Sequence, residues 1–289
     1  MSPLPDAQVP AIHHRRIGDV LVTSVSDGFL DGSMAVIQNI DPEDAAAMLR
    51  AAFRPVPRRT ALNCFLIRAK GRTALIDTGA GTHMQASAGR LMANLAAAGV
   101  APGEIDMVVL THMHPDHSNG LADADGAAFF PNAELAMHQA EHAYWMQENP
   151  PVSAQGVPYF AMANIQASPY ADRLKLFTGG EVFPGVTAMY LPGHTPGHCG
   201  FRIASGNESL LIWGDIVHVP EIQVPRPEVT MAFDVDPVTA AATRARVFDL
   251  VAADGLLIAG MHLHFPGVAN LGREAGGYRL YPEAWRQTL

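Results

Sequence analysis

The chain has 289 residues, of which 48% are apolar and only 16% charged, so it can bury a sizeable core and shows no compositional sign of disorder. Its net charge of -9, without a long run of lysine or arginine, argues against nucleic acid as a partner, and no apolar run reaches membrane-spanning length. Two cysteines, Cys64 and Cys199, are too few for a disulfide framework and are expected to be buried thiols in strands.

The opening residues, MSPLPDAQVPAIHHRR, place prolines and an aspartate where a secretory signal needs an apolar core, so a cytoplasmic protein is expected. One domain over 1–289, with residues 1–18 as an N-terminal extension, is the expected organisation. Short apolar or β-branched runs predict strands at Val20–Val25, Cys64–Arg68 and Ala74–Asp77. Between the first two, Asp41-Pro42-Glu43-Asp44 reads as a capped helix start, with Ala45, Met48, Leu49, Ala52 and Phe53 as an apolar stripe expected to pack on a sheet face.

A second helical period, including Leu91 and Leu95, ends at Gly99 and precedes a buried strand over Met107–Leu110. Further strands are expected at Glu134–Met137, Val186–Tyr190, Gly200–Ile203, Leu210–Trp213 and Leu256–Ala259, and helices at 138–147, about 155–167 and 237–252. Strands and helices alternate along the whole chain, which makes it α/β.

The segment Thr111-His112-Met113-His114-Pro115-Asp116-His117 follows directly on a strand. Three histidines and a carboxylate so close together are costly to bury without partners, and a metal ion supplies them. Histidines two apart at a strand end can point the same way, while Asp116 and His117 follow in a turn and can face a second ion. No GxSxG element offers a serine nucleophile, and both cysteines lie in strand-like runs.

His112-x-His114-x-Asp116-His117 resembles the signature of the metallo-β-lactamase superfamily. Four further landmarks follow in the family's order: Leu75-Ile76-Asp77-Thr78-Gly79, Gly193-His194-Thr195-Pro196-Gly197-His198, Trp213-Gly214-Asp215 and Gly260-Met261-His262. The resemblance implies a four-layer αββα sandwich and a dinuclear metal centre. One ion is then held by His112, His114 and His194, the other by Asp116, His117 and His262, with Asp215 bridging and Asp77 behind the ligands. Taken alone, Asp215 reads as a cap and His262 as a hydrogen-bonded core residue. His198 is read as a hydrogen-bonded loop residue behind the site. His264 competes with His262 for the last ligand position, and the resemblance favours His262, leaving His264 to line the pocket.

Sequence beyond the ligands is similar to the methyl-parathion-hydrolase-like branch with its dihydrocoumarin-type lactonases: Gly214-Asp215-Ile216-Val217-His218-Val219 and the stretch from Val229 to Asp236. It implies an aromatic pocket near Trp145, Tyr159 and Phe160, although aromatic residues on helices are more often core. It also implies two divalent ions, zinc first, with manganese, iron and cobalt compatible with the same ligands. The expected function is hydrolysis of small lactones or aryl esters by a bridging hydroxide, with Asp116 relaying a proton and Asp215 holding the ions together. Organophosphate triester hydrolysis is the alternative. A metal-binding protein without turnover is the reading from a different class, and a homodimer is implied by resemblance alone.

Overall fold

The structure is a computed structural model and describes residues 8–151 and 158–289. The first half of the chain carries β1 (Ile12–Ile17), β2 (Val20–Gly32), β3 (Ile37–Gln38), α1 (Pro42–Ala51), β4 (Arg58–Ala69), β5 (Arg72–Ile76), α2 (Leu91–Ala97), β6 (Met107–Val109), α3 (Pro115–Ser118), β7 (Glu134–His138) and α4 (Gln139–Trp145). The second half continues with α5 (Tyr159–Ala167), β8 (Leu174–Phe177), β9 (Gly180–Phe183), β10 (Val186–Tyr190), β11 (Cys199–Ser205), β12 (Glu208–Ile212), α6 (Pro220–Gln223), β13 (Thr230–Met231), α7 (Pro237–Asp254), β14 (Leu257–Ala259), β15 (Val268–Glu274) and β16 (Gly277–Pro282). The helix expected from about 155 is present from Tyr159, and residues 155–157 lie outside the described residues.

One sheet runs β1-β2-β4-β5-β6-β7-β8 and the other β16-β15-β14-β12-β11-β10-β9. Their central strands are apolar on both faces because both faces are covered, as alternation along each strand shows. Phe65, Ile67 and Ile76 of the first sheet meet Phe201, Ile203 and Ile212 of the second in a core between the sheets. The intervening Leu66, Leu75 and Val108 pack outward with Leu91 and Leu95 of α2 and Trp145 and Phe160 of α4 and α5. On the far side, Leu211, Ile258 and Leu271 pack with Val247, Phe248 and Val251 of α7. The result is the expected helix–sheet–sheet–helix sandwich.

Two regions differ from expectation. Ile12–Ile17, set apart in the sequence as extension, pairs along its length with Val20–Val25 as an edge strand. Helix α1 has the cap read for it, Asp41 Oδ1 accepting from Glu43 N at 2.8 Å. Its buried face, however, meets Ile37, Val219, Ile222 and Met231, the ribbon β3–β13 and α6, because both large sheets already have their outer helices.

The ends of the two sheets are tied together where their loops meet. Asn63 N donates to Met261 O at 2.9 Å, and Cys199 N donates to Thr111 O at 2.9 Å. The Asn63 side-chain amide reaches the carbonyls of Gly260 and Leu263 at 3.2 and 2.7 Å. These bonds hold β4, the chain after β6 and β14 and the start of β11 at a common edge of the sandwich.

Candidate metal centre

That edge gathers His112, His114, Asp116, His117, His194, Asp215 and His262. His112 follows β6, and His114 caps α3, whose Pro115 start turns the chain so that Asp116 and His117 face back inward. Asp215 leaves β12 through Gly214, whose φ of +60° and whose Cβ position, 2.3 Å from His198 Nε2, require glycine. This close approach lets Asp215 N donate to His198 Nε2 at 2.9 Å, while His198 Nδ1 donates to Leu191 O. His198 thus supports Asp215 from behind.

Asp215 Oδ2 is the hub. It lies 3.6 Å from His112 Nε2, 3.2 Å from His117 Nε2, 3.3 Å from His194 Nε2 and 3.1 Å from His262 Nε2. His114 Nδ1 is 2.8 Å from His194 Nε2, which is 3.1 Å from His112 Nε2. Asp116 Oδ2 stands on the other side, 3.6 Å from His262 Nε2 and 3.7 Å from His117 Nε2.

The outward nitrogens decide what these contacts are. His117 Nδ1 donates to Asp77 Oδ2 at 2.7 Å, His194 Nδ1 to Asp234 Oδ1 at 2.7 Å, and His262 Nδ1 to Ala61 O at 2.9 Å. Thr111 Oγ1 gives its proton to Asp77 Oδ2 at 2.7 Å and therefore accepts from His112 Nδ1 at 3.0 Å. Each neutral ring then points a bare Nε2 lone pair at Asp215 or at another lone pair. Such a cluster repels itself unless positive charge lies at its centre. His117 Nε2 and Asp215 Oδ1 are buried without any hydrogen-bond partner. The groups His112/His114/His194 and Asp116/His117/His262 each converge within 4.8 Å, a spacing and donor set that fits divalent metal ions.

The electrostatics agree. Burial would raise Asp215, but the surrounding histidines hold its carboxyl well below the ordinary range. Burial, reinforced by neighbouring imidazoles, holds His112 and His114 well below theirs. Burial also opposes charge on His194, yet its bonds to Asp215 and Asp234 raise it to about 9, and three carboxylates raise His117. The pocket is built to contain cations, and metal ions supply that charge without protonating the ligands.

Residues read from sequence as pocket lining fall in different places. Tyr159 lines a cavity of about 170 Å³ beside Asp116, Asp215 and His262. Trp145 and Phe160 are buried in the outer core instead, because the indole N–H is held by Glu141 Oε1 at 2.5 Å and the two rings pack on each other at 4.8 Å. Trp145 reaches the site only through its edge contact with His114 at 5.3 Å. His264 stands away from the metal cluster, where Glu221 Oε1 holds its Nε2 at 2.5 Å, and lines a separate cavity.

Four residues at the site were given no role from sequence, although His218 and Asp234 lie in the two stretches quoted for the resemblance beyond the ligands. His218, whose Nε2 is 2.9 Å from Asp215 Oδ2, stacks on His262 and edges onto Phe233. Its place three residues after Asp215 was the available signal. Asp234 orients His194, and Glu141 holds both ligand loops by accepting from Met113 N, Thr195 Oγ1 and Gly197 N at 2.9, 2.6 and 3.0 Å. Arg58 enters the cavity from the start of β4. Asp234, Glu141 and Arg58 lie outside every ligand motif.

Residues 58–262, more than two thirds of the chain, match the family model described as the metallo-beta-lactamase superfamily. The chain belongs to that superfamily. Among solved structures of the superfamily's fold, it is similar to the hydrolase AbOPH in the beta lactamase superfamily, with TM-score 0.92, 30% identity and coverage of 97% of this chain and 100% of the other. It is also similar to AidC, a dizinc quorum-quenching lactonase in complex with a product, N-hexanoyl-L-homoserine, with TM-score 0.89, 26% identity and coverage of 96% and 99%. In sequence it is 28% identical over 126 residues to an N-acyl homoserine lactonase of Bacillus cereus, covering 43% of this chain and 42% of that one. The chain spans about half the length of the curated relatives it matches. Metallo-beta-lactamase superfamily membership and the His/Asp cluster together make this a metal-dependent hydrolase fold with lactonase neighbours.

Proposed function

We propose that the protein is a dinuclear metal-dependent hydrolase of small lactones or aryl esters. The observation that carries this reading is the single carboxylate oxygen, Asp215 Oδ2, set within 3.6 Å of imidazole nitrogens from both ligand groups. His112, His114 and His194 would hold one ion, Asp116, His117 and His262 the other, and Asp215 both. Bound divalent ions lower the pKa of a water from about 16 to roughly 7 and polarise a carbonyl oxygen.

The chain's own groups then orient and exclude. Asp116 is the ligand-set carboxylate nearest solvent, its side chain 19% exposed, and the carboxylate oxygen not turned to the ion can accept a proton and pass it to the leaving oxygen. Leu30, Met84 and Phe233 make the cavity wall apolar and limit the water that reaches a bound ester. Zinc leads among the candidate ions because the set is mostly imidazole and because AidC is described as dizinc. AidC and the B. cereus relative are lactonases, which supports lactones ahead of phosphotriesters as substrates.

The test is elemental analysis followed by a panel of lactones, aryl esters and phosphotriesters. Two metal ions per chain and hydrolysis of a lactone or aryl ester, abolished by a chelator and restored by zinc, manganese or cobalt, are expected. Metal-loaded protein that cleaves no member of the panel would instead be the turnover-free metal-binding protein.

A further inference from the structure

Arg58 and Arg59 open β4 side by side and meet opposite fates. Arg59 is exposed, pairs with Asp31 through two contacts at 2.8 and 3.1 Å, and lies 3.8 Å over the Phe29 ring. Arg58, one residue earlier and on the opposite face of the strand, turns into the metal-site cavity beside Asp116, Tyr159 and His262. Among the described residues it has no carboxylate within ion-pair distance. Its Nη1 donates to Thr60 Oγ1, and its Nε is buried without an acceptor.

A guanidinium presents five N–H donors in a planar fork, and buried donors left unmatched are costly. The protein nevertheless keeps room for this one. Gly32 lies directly across the ladder from Arg58, and a Cβ there would come within 2.8 Å of both Cζ and Nη2. The guanidinium therefore lies against bare backbone, and a side chain at Gly32 would push it aside. Leu30, Met84 and Phe233 supply the apolar part of the cavity wall, and Asp116, beyond ion-pair distance, is the carboxylate whose charge acts on Arg58.

The geometry points to Arg58 as a specificity-determining residue that receives an acceptor oxygen, a carboxylate or an amide carbonyl, carried by the substrate away from the bond that is cleaved. This rests on the hydrolase reading above and narrows its substrate class to esters and lactones with such an arm. The guanidinium edge that lines the cavity can donate to such an oxygen, and a planar guanidinium suits a carboxylate in particular.

The experiment compares paired substrates on the metal-loaded enzyme: monophenyl succinate against phenyl butyrate, and N-butanoyl homoserine lactone against γ-butyrolactone. In Arg58→Met the ratio of kcat/KM between acceptor-bearing and plain partners should fall about tenfold to a hundredfold, the range for hydrogen bonds to charged groups. Gly32→Ala, which displaces the guanidinium without removing its charge, should lower the same ratio. A fall confined to the succinate ester identifies a carboxylate, and one confined to the acyl lactone an amide. Equal losses on all four substrates, or loss of metal in Arg58→Met, would overturn the assignment. A readout independent of turnover is calorimetric binding of succinate to the metal-loaded protein, expected to weaken by a similar factor in Arg58→Met. Should the wild type cleave none of the four, the lactone and aryl-ester reading falls and succinate affinity alone decides: weakened binding keeps the role of Arg58, and unchanged binding removes it.

Discussion

At the scale of single residues, the site depends on which nitrogen of each histidine faces inward, and that is set by acceptors outside the ligand shell. Asp215→Ala removes the one oxygen shared by both ligand groups. The variant is expected to fold, since its backbone bond to His198 survives, but to retain fewer than two metal ions on elemental analysis and to lose activity with them. Two ions per chain in this variant would contradict a bridging role. Asp234→Ala acts one step further out. Without the acceptor for its Nδ1 proton, His194 can rotate or change tautomer, and metal affinity should fall about tenfold to a hundredfold in a chelator competition.

Among the elements, the ligand loops are short and carry little secondary structure, so they need anchors. Glu141 is the main one: from the buried face of α4 it binds the loop after β6 and the loop between β10 and β11 with one carboxylate. Burial raises its pKa, and its hydrogen bonds oppose that shift. Glu141→Ala would strand four donors in the interior and should destabilise the fold by about 3 kcal/mol in urea unfolding. Glu141→Gln, which keeps the shape and one of the two acceptor oxygens, should recover part of that loss. Gly197 shows how close the packing is, since a Cβ there would meet Glu141 N at 2.0 Å. An Ala variant that unfolds at the wild-type urea concentration would remove this anchor from the account.

At the scale of the molecule, two seven-stranded sheets share a core and expose few of their central residues. Cys64 lies in the outer core of one sheet and Cys199 in the core between the sheets. Burial pushes both thiols well above the ordinary cysteine range. A thiol reagent at pH 8 should therefore modify neither in the native protein and both after unfolding in guanidinium. Rapid native labelling of either would mean that the sandwich opens far more readily than its burial implies. Among the described residues no helix is long and apolar enough to cross a membrane.

Sequence alone determined the parts governed by local rules. The doubly buried strands around Leu66, Leu75, Val108 and Leu211 read as apolar runs because both of their faces are covered, and the capped start of α1 reads from Asp41. The 112–117 cluster was legible because so many donors within one turn are improbable without an ion. The edge elements were not legible: β1, with His13, His14, Arg15 and Arg16, and the charged hairpin β15–β16 are strands through pairing with a neighbour, not through their own pattern. Only the tertiary structure decided which aromatic residues face the cavity, sending Trp145 and Phe160 to the core and Tyr159 to the wall. It also decided the places of Glu141, Asp234 and Arg58, because hydrogen bonds between residues far apart in the chain leave no periodicity behind. Ligand identity follows from local chemistry, whereas the orientation of those ligands and the shape of the pocket follow from contacts made only when distant segments meet.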